Sequence, residues 1–182
     1  YFLLMTDREL KKYKEELEKE CKKNVPNFCK YASSKNAKIL ALLQDPGNSG
    51  AEDTRTCTVW ENNDDTSKNQ LKYIKKYKLD KKKEEILFWN FYGSFDLQMK
   101  NMKEKENIFW LKQTEKLLDL CPNVKVIIIF GTDAWHGMYY FKLKKKIYII
   151  PSPHPSRRGM LQRDADARLD NAWKSAAKLI LD

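Results

Sequence analysis

Four short apolar segments recur along this chain, and they constrain its fold more than any other feature. They are NAKILALLQ (36–44), KKKEEILFWN (81–90), VKVIIIFG (124–131) and KKKIYIIPS (144–152). Their apolar residues are not interrupted by regular polar alternation, which is typical of strands buried on both faces of a sheet. Because helical patterns alternate with them, the sequence predicts an α/β fold. We expect a three-layer α/β/α sandwich with a central, mostly parallel four-stranded sheet.

Helical patterns fill much of the remaining sequence. The apolar spacing predicts helices at about residues 6–23, 66–80, 105–120 and 163–182. The first opens with a capping-box pattern, Thr6-Asp7-Arg8-Glu9, and the second carries an apolar stripe on Leu71, Ile74 and Tyr77. Residues 50–65 are polar and are predicted to form a long loop. Since the 182 residues show no internal repeat or linker, we expect one domain over residues 1–182.

The charge balance bears on the partner. Lys and Arg together number 35 and Asp and Glu 25, which gives a net charge of +10. Such an excess favours a polyanion, either nucleic acid or an anionic membrane surface, although a lysine-rich proteome would give the same balance. No segment approaches the roughly 20 apolar residues of a membrane span, and the N-terminal residues lack the layout of a secretory signal. We expect a cytoplasmic protein with no membrane partner, and a monomer.

Cysteine and histidine give little support for a metal. The four cysteines, Cys21, Cys29, Cys57 and Cys121, fit neither a C-x2-C zinc pair nor a dense disulfide framework. They are interpreted as thiols of a reduced protein, with a shared iron–sulfur cluster as the alternative. Asp45, His136 and His154 could share a metal, but two histidines far apart in sequence are a weak signal. We expect neither a metal nor a cofactor.

Polar or glycine-rich residues follow all four predicted strands. The first strand ends at Gln44-Asp45-Pro46-Gly47, the second at Asn90, the third at Gly131-Thr132-Asp133, and the fourth in residues 151–159, which contain His154. Ligands of open α/β sheets bind beyond the carboxyl ends of the strands, so these residues are predicted to share one site. The site would offer an acid, two carboxamides and an imidazole. No Ser-His-Asp order, nucleophilic cysteine context or phosphate-binding loop motif accompanies them.

Two of these stretches resemble a known family. LLQDPG (42–47) and HPSRRG (154–159) are similar to the paired motifs of the uracil-DNA glycosylase superfamily. VWENNDDTSKN, ILFWN and VKVIIIFGTDA extend the similarity over about residues 39–159. The resemblance implies a four-stranded parallel sheet between helices, DNA as the partner, and a monofunctional glycosylase. Such an enzyme hydrolyses the N-glycosidic bond of a flipped-out uracil or modified pyrimidine and leaves an abasic site. The paired motifs contain no lysine, so lyase activity is not expected.

The resemblance also implies roles for individual residues. Asp45 would orient water and stabilise positive charge on the sugar, and His154 would stabilise negative charge at O2 of the departing base. Gln44 would hydrogen-bond the base, and Asn90 would contact its Watson–Crick edge without deciding between uracil and cytosine. Structural alternatives stay open for three of them: a turn cap for Asp45, strand-end hydrogen bonding for Asn90, and loop contacts for His154.

Gly47 departs from the strict uracil glycosylases, which have a tyrosine that closes the pocket against a 5-methyl group. The glycine leaves room beside pyrimidine C5, where Asn48, Ser49 and the polar segment through Asp65 would contact a larger substituent. Uracil repair and a defence glycosylase that excises bulky 5-modified cytosine from phage DNA are both compatible with this pocket. A catalytically silent nucleic-acid-binding module is the alternative from another class, and the joint presence of an acid and a histidine disfavours it.

The second motif continues into a loop that in this family enters the duplex. The residues expected to contact DNA are Ser152, Ser156, Arg157, Arg158, Met160 and Leu161. The two serines are expected to contact phosphate or backbone, and one of the other four would fill the gap left by the flipped nucleotide. The sequence does not distinguish which of the four is this wedge, and the two arginines would serve phosphates equally well.

Overall fold

The computed structural model of the protein describes residues 7–47, 50–95, 104–138 and 146–181. Four parallel strands form the sheet: β1 (Ile39–Leu43), β2 (Ile86–Asn90), β3 (Val126–Phe130) and β4 (Tyr148–Ser152). Their order is β2-β1-β3-β4. The predicted four-stranded parallel sheet is therefore confirmed, and each strand lies within one of the apolar segments. β1, β2 and β3 are buried throughout, whereas β4 lies at an edge and is partly exposed.

Six α-helices accompany the sheet within the described residues. They are α1 (Arg8–Cys21), α2 (Ala51–Thr54), α3 (Asp65–Lys76), α4 (Glu104–Leu120), α5 (Thr132–Met138) and α6 (Ala165–Leu181). Single 3-10 turns occupy Leu79–Lys81, Lys83–Glu85 and Gly159–Leu161. α3 and α6 pack together, as do α1 and α4, while α5 contacts α4 and β3. No helix in the described ranges is long and apolar enough to cross a membrane.

Alternate side chains of the strands face two separate groups of helices. Phe88 and Phe130 lie near Trp173 of α6, with ring centroids 6.4 and 6.0 Å from that of the indole. Trp89, the next residue of β2, instead meets Tyr13 of α1 edge-on at 5.9 Å. Because neighbouring residues of a strand point to opposite faces, α3 and α6 cover one face and α1, α4 and α5 the other. This arrangement is the predicted three-layer α/β/α sandwich.

The start of α1 differs from the capping-box prediction by one residue. The N-cap is Asp7, whose carboxylate accepts hydrogen bonds from the backbone N–H groups of Glu9 and Leu10. The same carboxylate accepts two more from the backbone N–H and the hydroxyl of Ser34, at 2.7 and 2.8 Å. This distant partner, 27 residues along the chain, explains why Asp7 is the cap. Thr6 lies outside the described residues.

Residues 50–65 are only in part the long loop that their polarity predicts, since residues 55–64 form no helix and no strand of the sheet. They begin with the short helix α2, and residues 57–59 are buried. Side chains hold the segment together, since the Thr54 hydroxyl donates to Asn62 Oδ1 and Asn62 Nδ2 donates to the carbonyl of Thr56. The segment is therefore an ordered wall beside the carboxyl end of β1. Helix α5 has no apolar period to predict it either, because it is only seven residues long.

Candidate active site

The carboxyl ends of β1 and β2 form the rim where polar residues are predicted to meet. Leu43, the last residue of β1, pairs with Asn90, the last residue of β2. Beyond the strands, the backbone N–H of Phe91 donates to Leu43 O at 2.8 Å, and that of Tyr92 donates to Gln44 O at 2.9 Å. These bonds carry the parallel pairing past the strand ends and fix the beginning of the turn that follows β1.

A cavity of about 110 Å³ opens at this rim. Asp45, Gly47, Asn90 and His154 all line it, so the structure brings together four of the predicted site residues. Gln44 is half-buried but is not among the lining residues. The others are Leu43, Pro46, Ala51, Cys57, Thr58, Val59, Asn62, Asp64, Thr66, Ser67, Gln70 and Phe88. The cavity is small beside the roughly 300–1,000 Å³ of pockets for drug-sized ligands, and it suits a single small ring.

Asp45 supplies the acid of the cavity. Its side chain is half-buried, and its carboxylate makes no hydrogen bond to the described residues, so no bond supports the alternative role of a turn cap. Burial raises the pKa of Asp45, and the negative charge of Asp133 at the start of α5 raises this pKa further. The carboxylate is thus uncommitted among the described residues and faces a cavity that contains other polar groups.

His154 supplies the imidazole, and a neighbouring backbone group determines its tautomer. The backbone N–H of Ser156 donates to Nδ1 of His154 at 3.2 Å. Only an unprotonated ring nitrogen accepts such a bond, so the proton of the neutral ring is assigned to Nε2. Burial lowers the pKa of His154, and the charges of Asp133 and Asp64 oppose this effect only in part. His154 is therefore a neutral donor at Nε2 near neutral pH.

Two glycines allow the backbone around His154 to close tightly. A Cβ on Gly159 would stand 1.9 Å from the carbonyl oxygen of His154, a distance that no side chain tolerates. Gly131, with φ at +87°, lies where a Cβ would be 3.2 Å from that of His154. The Ser156 hydroxyl accepts a hydrogen bond from the Gly159 N–H at 3.2 Å. The imidazole is thus held by a close turn on one side and by the end of β3 on the other.

Asn90 is held by a residue that no sequence pattern identifies. The Asn90 side chain is buried, and its Nδ2 donates to the sulfur of Cys57 at 3.2 Å. Burial raises the pKa of Cys57, so its thiol stays protonated. The contact orients the carboxamide of Asn90 at the cavity, and it is not the strand-end backbone bond considered as the alternative for Asn90. Nothing in the spacing of Cys57 predicts this contact.

The residues predicted to contact DNA divide into buried and exposed groups. Ser152 is buried and its hydroxyl donates to the carbonyl of Pro153, so this hydroxyl is turned toward the protein interior. Ser156 is half-buried and braces His154. Three further residues differ in exposure: Arg157 and Arg158 are exposed, whereas Met160 packs partly against the core. Leu161 is the outlier, an apolar side chain that is 82% exposed.

The far wall of the cavity includes α3, which places polar side chains inward beside its predicted apolar stripe. Thr66, Ser67 and Gln70 of this helix line the cavity, and Gln70 is 1% exposed. The predicted stripe is confirmed, since Ile74 is buried and the half-buried Leu71 and Tyr77 pack against the core. The inward polar side chains of this helix border the cavity, whereas its apolar stripe packs against the core. A hydrophobic pattern cannot reveal such a face.

A second groove, of about 320 Å³, shares His154 with the cavity. Trp135 and Arg168 also line it, and the Trp135 side chain is 40% exposed. Metal-binding groups are not assembled in the described ranges, where no three His, Cys, Asp or Glu residues are grouped to hold an ion. His136 is exposed on α5, and none of the four cysteines, all within the described ranges, forms a disulfide.

A profile of the uracil DNA glycosylase superfamily matches residues 29–177. The chain belongs to this superfamily. The range that matches the uracil DNA glycosylase superfamily contains all four strands and every residue lining the cavity. A search among curated proteins found no match. Membership of the superfamily supports a function of the DNA glycosylase type, with DNA as the substrate, and leaves open which base is removed.

Proposed function

We propose that this protein is a monofunctional DNA glycosylase that hydrolyses the N-glycosidic bond of a flipped-out uracil or modified pyrimidine and leaves an abasic site. The observation that carries the proposal is the cavity shared by Asp45, Asn90 and His154, which gathers an acid, a carboxamide and an imidazole from three strand ends. A small polar cavity at a strand-end rim fits an extruded base. The described lining residues include no lysine, which supports hydrolysis without lyase chemistry.

The proposed reaction separates charge, and the site has a group for each charge. Cleavage moves the electron pair of the C1′–N bond onto the base, so the sugar becomes positive and the base negative. Ionised Asp45 stabilises the sugar and orients a water molecule, whose oxygen bonds to C1′ as its proton leaves through the carboxylate. His154 donates its Nε2–H to O2 of the departing base, because its Nδ1 is occupied by the Ser156 N–H.

Base recognition is proposed to involve Asn90 and Gln44, with Gly47 leaving the C5 side open. Asn90 would pair with the Watson–Crick edge, and Gln44 would contact the base from the turn after β1. Gly47 is exposed and lines the cavity without a side chain of its own. This observation favours a second candidate within the same reaction class: excision of a bulky 5-modified cytosine, as a defence against phage DNA. Asn48 and Ser49 lie outside the described residues.

DNA would approach along the exposed side of the loop after β4. Leu161 is the proposed wedge, because an apolar side chain that is 82% exposed has little to contact in the free protein. Arg157 and Arg158 are exposed beside it and would contact phosphates. Trp135 would stack on a base that flanks the flipped nucleotide. We propose that the protein acts as a cytoplasmic monomer on double- or single-stranded DNA.

A panel of oligonucleotides tests the proposal. Each contains one uracil, mismatched thymine or 5-modified cytosine, and alkali cleaves the strand wherever an abasic site forms. We expect cleavage of at least one substrate, and a loss of about 10²–10⁴-fold in rate for Asp45→Asn with DNA binding retained. Glu15→Gln, which removes an exposed acid of α1, is the matched control and should cleave at the unmodified rate.

Two outcomes would contradict parts of this proposal. Binding of DNA without cleavage of any base in the panel would favour a catalytically silent nucleic-acid-binding module. An unchanged cleavage rate for Asp45→Asn would remove Asp45 from the mechanism. The temperature of unfolding of each variant shows whether a lost activity reflects lost folding. Burial disfavours the ionised carboxylate of Asp45, so the neutral amide of Asp45→Asn should not lower the stability at neutral pH.

A further inference from the structure

Gln70 is a buried carboxamide at the wall of the cavity with an unsatisfied oxygen. The residue is 1% exposed and lines the cavity. Its Oε1 is shielded from solvent and has no hydrogen-bond partner among the described residues. Buried polar atoms are almost always paired, because an unpaired one loses its bonds to water without replacement. An unpaired carboxamide oxygen beside a ligand cavity therefore points to a role in binding.

The position of Gln70 is fixed by contacts of α3 on both sides of it. On the N-terminal side, Asp64 caps the helix by accepting the Ser67 N–H at 2.8 Å. On the C-terminal side, the Tyr77 hydroxyl donates to Asp170 of α6 at 2.6 Å. The backbone that carries Gln70 is thus held relative to the sheet. The terminal torsion of a glutamine side chain is broad, so a rotation about it can present Oε1 to the cavity without moving the helix.

The other groups on this side of the cavity also favour a donor on the ligand. The Asn90 Nδ2 is engaged with Cys57, and a further acidic residue, Asp64, lines the same cavity as Gln70. Uracil and thymine present a carbonyl at C4 and no donor on C5. Cytosine presents an amino group at C4, and a hydroxymethylated pyrimidine presents a hydroxyl on C5. The N3–H of uracil and thymine lies on the Watson–Crick edge, which is assigned to Asn90, so an acceptor on the Gln70 wall would be paired by a donor at C4 or on C5.

We propose that Gln70 is a specificity-determining residue whose carboxamide oxygen accepts a hydrogen bond from the flipped base. The pocket then favours pyrimidines that carry a donor at C4 or on a C5 substituent, namely an exocyclic amino group or a hydroxyl. This inference rests on the proposed function, since it takes a flipped pyrimidine to be the ligand. It assigns to α3 a part of base recognition that Asn90 alone does not perform.

The test compares the protein with Gln70→Met on single-turnover excision of uracil, thymine, cytosine, 5-hydroxymethyluracil and 5-hydroxymethylcytosine in one sequence context. Methionine is also unbranched and of similar length, but it offers only a weak acceptor. We expect the ratio of the rate for a donor-bearing base to the rate for uracil to fall about tenfold, the effect of one neutral hydrogen bond. A fall for cytosine assigns the amino group as the donor, and a fall for 5-hydroxymethyluracil assigns the hydroxyl.

Gln113→Met is the matched control. Gln113 is a buried glutamine of α4 whose Nε2 donates to Glu20 at 2.6 Å, and it does not line the cavity. We expect Gln113→Met to lower the unfolding temperature and to leave the ratios between bases unchanged. Gln70→Met should not lower the unfolding temperature, because no hydrogen bond of its Oε1 to the described residues is lost. Equal effects of Gln70→Met on all five bases, or no effect on any ratio, would overturn the proposal.

A binding measurement separates this proposal from the glycosylase proposal. In the Asp45→Asn background, oligonucleotides with cytosine, 5-hydroxymethyluracil or uracil are compared with and without Gln70→Met. We expect Gln70→Met to abolish a preference for the donor-bearing bases. If that preference depends on Gln70 but no base is excised, the glycosylase proposal fails and the role of Gln70 stands. If bases are excised and Gln70→Met alters neither the rate ratios nor the binding preference, only the role of Gln70 fails.

Discussion

At the residue scale, burial shifts the two proposed catalytic side chains toward their neutral forms, with different consequences. His154 has a lowered pKa because it is buried, and a neutral imidazole with its proton on Nε2 is the form that the mechanism needs. Asp45 has a raised pKa, first because it is buried and then because Asp133 repels its charge. The mechanism needs Asp45 ionised, so its raised pKa limits activity on the acid side.

Asp133→Asn should move the acid limb of the pH–rate profile to lower pH. The charge of Asp133 raises the pKa of both Asp45 and His154, so its removal lowers both values, and the active protonation states persist to lower pH. Single-turnover excision rates measured at a series of acidic pH values give the position of the acid limb directly. Glu15→Gln on α1 should leave it in place. A limb that stays or moves upward in Asp133→Asn would show that the charge of Asp133 does not set the acid limb.

At the element scale, the loop between β4 and α6 combines a fixed part with an exposed part. The Ser156 N–H holds the imidazole of His154 through Nδ1, and Gly159, which donates to the Ser156 hydroxyl, lets the chain pass close to the His154 carbonyl oxygen. The following 3-10 turn, Gly159–Leu161, then carries Leu161 into solvent. Catalysis and DNA distortion are thereby assigned to neighbouring parts of one loop. A change at the exposed end need not disturb the imidazole.

Leu161→Ala should reduce excision from duplex DNA more than excision from single strands. A duplex needs an apolar side chain to fill the space of the flipped nucleotide, whereas a single strand presents its base without unstacking a partner. We expect a loss of about tenfold or more on duplex and a smaller loss on the same single strand, by single-turnover rates. Leu181→Ala, at the exposed end of α6, is the matched control. Equal losses on both substrates would exclude Leu161 as the wedge.

The sheet and the long helices could be predicted from sequence because their signals are local. Continuous apolar runs indicate buried strands, and a period near 3.6 residues indicates amphipathic helices. The loop at residues 55–64 could be predicted from its polarity, but helix α2 and the bonds between Thr54, Thr56 and Asn62 could not, because polarity does not encode them. The cap of α1 depends on Ser34, a partner far along the chain. Local rules fail where a distant residue decides the conformation.

The candidate site divides in the same way. Asp45, Asn90 and His154 could be placed together in advance, because parallel strands bring their carboxyl ends to one rim. Cys57 and Gln70 could not, because their positions depend on how the segment after β1 and helix α3 cross that rim. Gln70 is a polar residue at a buried position of α3, and a hydrophobic pattern does not identify polar residues as buried. The unpaired Oε1 becomes visible only when the surroundings of the atom are known.

At the scale of the whole molecule, internal ion pairs do not reduce the net positive charge. Lys72 and Lys76 of α3 pair with Asp166 and Asp170 of α6, at 2.9 and 2.7 Å. Such pairs at the surface contribute about 0–1 kcal/mol each, and each one neutralises a base with an acid. The excess of Lys and Arg over Asp and Glu, which gives the net charge of +10, therefore stays available to attract DNA.

Binding to DNA should therefore weaken steeply as salt concentration rises, and the loop arginines should contribute to the slope. For duplex DNA, log K falls against log salt with a slope of about −0.9 for each neutralised phosphate. Replacing Arg157 or Arg158 by Gln should reduce the magnitude of this slope by about 1, measured by fluorescence anisotropy over a salt series.

Arg8→Gln is the control for this measurement. Arg8 is exposed at the start of α1, beside the Asp7–Ser34 contact that precedes β1, and thus at the opposite end of the sheet. We expect its slope to equal that of the unmodified protein. An equal slope in all four proteins would remove the loop arginines from the phosphate contacts. Binding that is insensitive to salt throughout would instead count against DNA as the partner, because a site without phosphate contacts releases no counterions.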